Sequence, residues 1–133
     1  MARLKLLLDT HIWLWSLGSS NRLSRNVARA LNGPENELWL SPVSIWEAFL
    51  LVKKNRLQIS GDYETWLNQS LNALPVIEAP ITFEVMRTLS TIVLPHEDPA
   101  DLFLAATAKA FGLTLVTADR KLLQIEGVSI VAN

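Results

Sequence analysis

Apolar residues in this chain fall into two alternating kinds of stretch: short unbroken runs and longer amphipathic segments. Leu4-Lys5-Leu6-Leu7-Leu8 is a run of the kind that makes a buried strand, as is Leu113-Thr114-Leu115-Val116-Thr117-Ala118, which is rich in residues that fit a pleated surface. Glu37-Leu38-Trp39-Leu40, Val76-Ile77-Glu78 and Val128-Ser129-Ile130-Val131 read as further short strands. Helical stretches lie between them. One runs from His11 to Leu17 before the turn cluster Gly18-Ser19-Ser20-Asn21. A second is capped by Ser24, runs through Leu31 and is ended by Asn32-Gly33-Pro34, a left-handed and helix-breaking group. Ser41-Pro42 opens a third, Gly61-Asp62 a fourth through Trp66 and Leu71, and Thr82 caps a fifth through Ser90. Asp98-Pro99 opens the last long helix, through Phe111, with Gly112 as its stop and a short turn at Leu122-Leu123 beyond the next strand. Strands alternating with helices predict an α/β domain whose parallel sheet is covered on both faces.

Composition narrows this picture. The 133 residues suit one domain, and a chain that is half hydrophobic and 19% charged belongs to a compact globular protein. It has no cysteine, which removes disulfides, thiolate metal sites and cysteine nucleophiles together and suits a reducing cytosol. Asp9 and His11 break the first apolar stretch before it could serve as a signal core, and Lys109 interrupts the longest one, so a cytoplasmic protein without a membrane span is expected. A net charge of −1 argues against a simple nucleic-acid-binding module. It argues less against a nuclease, where bound cations supply charge at the phosphate and Lys53, Lys54, Arg56, Arg120 and Lys121 could guide the strand.

The candidate chemistry is acidic. Asp9 and Asp119 each leave a strand, Glu47 lies inside the third helix among Ile45, Trp46, Phe49, Leu50 and Val52, and Asp101 lies in the first turn of the last helix. Ligands gather at the carboxyl ends of parallel strands, so these acids can converge there, and a divalent cation turns their repulsion into coordination. Asp9, Asp101 and Asp119 are the expected metal ligands, and Glu47 completes the reactive set. Each has a plainer explanation: Asp9 and Asp98 as helix caps, Asp119 as a turn residue, Asp101 as an acid favoured at a helix N-terminus. Thr10 and Ser44 could orient a carboxylate or a water through their hydroxyls. His11 and His96 are read as structural. The five tryptophans are read as packing residues rather than base-stacking platforms, with Trp13 and Trp15 unable both to face inward on one short helix.

In order, Leu-Leu-Leu-Asp9-Thr10-His11, Ser44-Ile-Trp-Glu47, His96-Glu-Asp98-Pro99-Ala-Asp101 and Val116-Thr117-Ala-Asp119 resemble the PIN-domain proteins, and among them the VapC-type toxins of bacterial toxin–antitoxin pairs. The resemblance covers nearly the whole chain. It implies a three-layer α/β/α domain with a central, mostly parallel sheet, whose Asp9, Glu47, Asp101 and Asp119 work with Mg²⁺, or Mn²⁺ in its place, to hydrolyse RNA. Thr10, Ser44, Asp98 and Thr117 would support those acids. It also implies a homodimer restrained by a VapB-type antitoxin, with the Trp- and Leu-rich early helices offering an apolar groove. One departure stands out: where similar members carry arginine after the second aspartate of the His-x-Asp-Pro-x-Asp segment, this chain has Leu102, and Arg120 is the nominated substitute. The competing readings are a catalytically silent PIN-like interaction domain and a receiver-like phosphoacceptor. The latter fits poorly because Leu40 is followed by Ser41-Pro42 rather than by an aspartate.

Overall fold

The structure is a computed structural model that describes residues 3–95 and 98–133; His96 and Glu97 of the third motif lie outside them. Five strands, β1 (Lys5–Leu8), β2 (Glu37–Leu40), β3 (Ile77–Glu78), β4 (Thr114–Thr117) and β5 (Ile130–Ala132), form one sheet in the order β3-β2-β1-β4-β5. Every neighbouring pair is parallel. Parallel strands need crossovers, and these are the helices α1 (Thr10–Gly18), α2 (Arg25–Asn32), α3 (Pro42–Lys53), α4 (Tyr63–Ala73), α5 (Phe83–Thr88) and α6 (Pro99–Phe111).

β1 is central, and its sequence explains why. Leu6, Leu7 and Leu8 are all fully buried, so both faces of the strand must be covered. Leu7 packs on one side with Leu104, Ala105 and Ala108 of α6 and Leu115 of β4, while Leu6 and Leu8 pack on the other with Ile12 and Trp13 of α1, Val27 of α2 and Ala48 of α3. The resulting three layers are those expected from the resemblance, with a sheet that is wholly parallel.

The expected caps form. Ser24 Oγ accepts the Val27 N–H at 3.1 Å, Ser41 Oγ the Val43 N–H at 3.1 Å, and Thr82 Oγ1 the Val85 N–H at 3.2 Å. Gly112 ends α6 at φ 65°, in the left-handed region where a Cβ is penalised. Gly33 departs from expectation, since its φ is −65°. Its need for glycine comes from the Asn36 side chain, which donates to the Ala30 carbonyl at 2.9 Å; a Cβ on Gly33 would lie 2.6 Å from that amide nitrogen. Two boundaries also differ. β5 lies two residues later than Val128 suggested, because Ile130 pairs with Leu115 and Ala132 with Thr117, and the fifth helix gives way to a 3₁₀ turn at Leu89–Thr91.

Candidate active site

The order β3-β2-β1-β4-β5 means that the chain winds one way from β1 and then returns to the other side of it. The carboxyl ends of β1 and β4 therefore flank the point where the winding reverses, which is where ligands settle in open α/β sheets. Asp9 follows β1 directly and Asp119 follows β4 by two residues. An open cleft of about 430 Å³ lies there, lined by Asp9, Glu47, Asp98, Asp101 and Asp119 together with His11, Trp15, Arg22 and Ala118. The four expected acids thus share one cavity, and Asp98 joins them.

Asp9 is 8% exposed and bonded on both oxygens. Oδ1 accepts the Thr10 N–H at 2.7 Å, and Oδ2 accepts the Thr117 hydroxyl of β4 at 2.6 Å. The same Thr117 oxygen accepts the Asp119 N–H at 3.0 Å, so one side chain ties the two strand ends together. Burial pushes the Asp9 carboxyl above the ordinary carboxylate range; the Thr117 and Thr10 bonds and the charge of His11 oppose this, while Asp119 adds to it.

Glu47 accepts a short hydrogen bond from the Thr10 hydroxyl, and Ser44 Oγ lies 2.9 Å from that same Thr10 oxygen. A hydroxyl has one proton, and an ionised carboxylate only accepts. With the Thr10 proton given to Glu47, Ser44 is the donor in its pair with Thr10. Burial raises the Glu47 pKa first, opposed by the Thr10 bond, and the charges of Asp9, Asp98 and Asp101 raise it further. The broad apolar face expected around Glu47 is only partly buried: Trp46 is 50% exposed and Phe49 41%, while Ile45 packs on the core, and the Thr10 hydroxyl is what holds the Glu47 carboxylate.

Asp98 caps α6 by accepting the Ala100 N–H at 3.0 Å, and Asp101, 8% exposed, follows in the first turn of that helix. Asp119 accepts the Lys121 N–H at 2.9 Å. The capping roles of Asp98 and Asp119 are therefore real, and both residues still line the cleft. Arg120 does not: with Lys121 it lines a separate cavity beside Val93 and Leu94. The basic side chain lining the acidic cleft is Arg22, which carries no signal in the sequence because it sits in a 3₁₀ turn between α1 and α2, away from every motif. Its guanidinium lies 4.3 Å above the Trp15 ring. Trp13 is buried while Trp15 is only partly so, which resolves the competition between them.

Among the described residues, no three acids or histidines stand close enough together to hold one ion as placed. The donor chemistry nevertheless fits a hard divalent cation, because the cleft offers carboxylate oxygens and no thiolate, and such ions take several of their ligands from water and phosphate.

Comparison with known proteins identifies the family and the fold. The PIN domain family model matches residues 6–128. The chain belongs to the PIN-domain family. Ribonuclease VapC22 of Mycobacterium tuberculosis is 33% identical over 119 residues, which span 87% of this chain and 88% of that protein. The fold is shared with VapBC-1 from nontypeable Haemophilus influenzae (TM-score 0.70, 18% identity, covering 97% and 98% of the two chains). It is shared also with VapBC2 from Rickettsia felis bound to a fragment of promoter DNA (TM-score 0.67, 17% identity, 98% and 99%). Family membership also sets the receiver-like reading aside, which the Leu40 argument does not: the middle strand is β1, and an aspartate, Asp9, does follow it.

Proposed function

We propose that this protein is a metal-dependent endoribonuclease acting as the toxin of a toxin–antitoxin pair. The observation that carries the reading is the convergence of Asp9, Glu47, Asp98, Asp101 and Asp119 on one cleft at the reversal point of the sheet, with two of them pushed toward the protonated form. The likeness to Ribonuclease VapC22 supports RNA as the substrate. Mg²⁺ or Mn²⁺ bound here would polarise the scissile phosphate and neutralise the charge that develops on it. Asp9, Asp101 and Asp119 would hold the ion. Thr117 fixes the angle of Asp9, and Thr10, backed by Ser44, fixes that of Glu47. Glu47 Oε2, the oxygen that Thr10 does not hold, takes up a proton from the attacking water, a task suited to a carboxylate with a raised pKa. By analogy with the PIN-domain family, in-line attack would form the new P–O bond as the P–O3′ bond breaks, with the 3′ oxygen taking a proton from solvent, to give a 5′-phosphate and a 3′-hydroxyl.

The partner is a VapB-type antitoxin, a reading supported by the VapBC complexes that share the fold, and the working unit we infer is a homodimer in the cytoplasm. No helix among the described residues is long and apolar enough to cross a membrane. The test is cleavage of a cellular RNA pool with Mg²⁺, Mn²⁺ or EDTA, beside an Asp101→Asn variant prepared identically. Discrete cuts that need metal and vanish in the variant are expected; metal-independent cutting, or equal cutting by both proteins, would sink the reading, and folded protein that neither binds metal nor cuts would mark a silent interaction domain.

A further inference from the structure

An acidic cleft creates a difficulty for a polyanionic substrate. Bound cations answer it at the scissile phosphate, but the neighbouring phosphates still face five carboxylates. Arg22 is the arginine lining that cleft, and it is held in place from two sides. Its guanidinium rests on Trp15, which packs against the buried core below and meets the His11 ring with centroids 5.8 Å apart. Its backbone carbonyl accepts the Asn133 side-chain amide at 3.0 Å, while Asn133 Oδ1 accepts the Ser24 N–H at 2.6 Å, which anchors the whole turn. A guanidinium held over an indole face is anchored without using up its N–H donors. The ion pair found among the described residues joins Arg3 to Glu37, so Arg22 shares the cleft with carboxylates but is in ion-pair contact with none of the described ones.

His11, Trp15 and Arg22 also line a second depression, a trough of about 440 Å³ beside the end of α3 that carries Arg56 and the apolar faces of Leu51 and Leu57. Cleft and trough therefore share a wall, and the shared wall carries the cation. We propose that Arg22, held on Trp15, grips an RNA phosphate next to the scissile one and turns the single strand into this trough, where Arg56 meets a further phosphate and the apolar faces pack against bases. The inference rests on the nuclease reading and deepens it: Arg22 takes the place of the basic group that Leu102 leaves out. Continuity with the acids, and two guanidiniums without carboxylate partners among the described residues, favour a nucleic-acid strand over a peptide here.

The experiment measures binding of a labelled, mixed-sequence single-stranded RNA by fluorescence anisotropy over a salt series, using Asp101→Asn protein so that the RNA stays intact. Adding Arg22→Ala is expected to weaken binding about tenfold and to flatten the slope of log affinity against log salt by about 0.7, as follows when one phosphate is no longer neutralised. Arg22→Lys restores part of the affinity, Arg56→Ala acts more weakly in the same direction, and Arg120→Ala, in its separate cavity, changes nothing. With the acids intact, Arg22→Ala raises the half-saturating RNA concentration more than it lowers turnover. Unchanged affinity and salt slope in folded Arg22→Ala protein would overturn the inference and leave the trough to a protein partner, while metal-dependent cutting by the parent chain kept the nuclease reading standing. Arg22-dependent binding by a parent that cuts nothing would do the reverse, removing the nuclease and keeping the grip.

Discussion

Among the described residues three α-helices begin on an aspartate, and two of those aspartates, Asp62 and Asp9, behave oppositely. Asp62, at the start of α4, accepts the Thr65 N–H at 2.7 Å, three residues on, which is the bond of an ordinary cap. It is exposed, and that backbone bond lowers its pKa. Asp9, at the start of α1, bonds the N–H of the next residue instead and turns its other oxygen back across the sheet to Thr117. It is buried, and its pKa is raised. Capping explains Asp62 completely. Asp9 is instead held where a cap has no need to be, buried in a cleft that it shares with other acids, and a carboxyl raised by burial and by a neighbouring acid is the physical mark separating a site from a helix start.

Exchanging the charge at each position breaks or sustains the comparison most directly. Asp9→Asn is expected to reduce metal-dependent RNA cleavage on the order of 10³-fold, as loss of a preorganised charged group does, whereas Asp62→Asn leaves the cleavage rate unchanged. Equal rates from both variants would return Asp9 to the status of a cap. The next effect in size belongs to Thr117. Thr117→Val keeps the shape of a buried β4 residue but removes the hydroxyl that donates to Asp9 and accepts from Asp119, so cleavage should fall about 10- to 100-fold. A Val variant with full activity would show that Asp9 needs no holding.

How much of this could be read from the chain depends on range. β1, the caps at Ser24, Ser41 and Asp98 and the stop at Gly112 are local events, written in a few adjacent residues, and they appear where expected. The acids were legible because each adjoins an element boundary, and the parallel sheet brings those boundaries to one edge. What escaped is set by contacts between distant segments. Gly33 is glycine because Asn36 folds over it, Glu47 is held by Thr10 rather than by its own helix, and Arg22 enters the cleft because its turn rests on Trp15 and Asn133. Arg120, adjacent to Asp119 in sequence, turns into another cavity, which shows how little adjacency says once the chain leaves a strand.

Metal binding supplies the next contrast. A divalent ion that binds the folded cleft and not the unfolded chain stabilises by mass action, about 2.7 kcal/mol at a hundred times its dissociation constant. Mn²⁺ should therefore raise the Tm of the parent chain and of Asp62→Asn alike, and Asp101→Asn should lose the rise. A rise of the same size in Asp101→Asn would place the ion elsewhere on the protein.

The smallest effect is the most specific, because its sign differs between the two helix starts. Asp9 and Glu47 have folded pKa values raised above the unfolded ones, so between the ordinary carboxylate value and the raised values the native state holds more protons than the unfolded chain. Their influence on stability is most favourable on the acid side of that window and is lost as pH rises through the raised folded values. Asp62, lowered, contributes stability above the ordinary value and loses it only as pH falls through its lowered one. In metal-free buffer, the Tm difference between Glu47→Gln and the parent should therefore grow in the variant's favour as pH rises from the ordinary carboxylate range through the raised Glu47 value, since the amide escapes first the cost of burying a charge and then the repulsion of Asp9, Asp98 and Asp101. Asp62→Asn should run parallel to the parent over that range and diverge only below it. Excess Mn²⁺ should then abolish the Glu47→Gln advantage near neutral pH, because the ion relieves in the parent the same repulsion that the amide removes. Parallel Tm curves for Glu47→Gln and the parent across the whole range would mean that neither burial nor the neighbouring acids raise the cleft carboxyls, and the distinction between the two helix starts would fail with them.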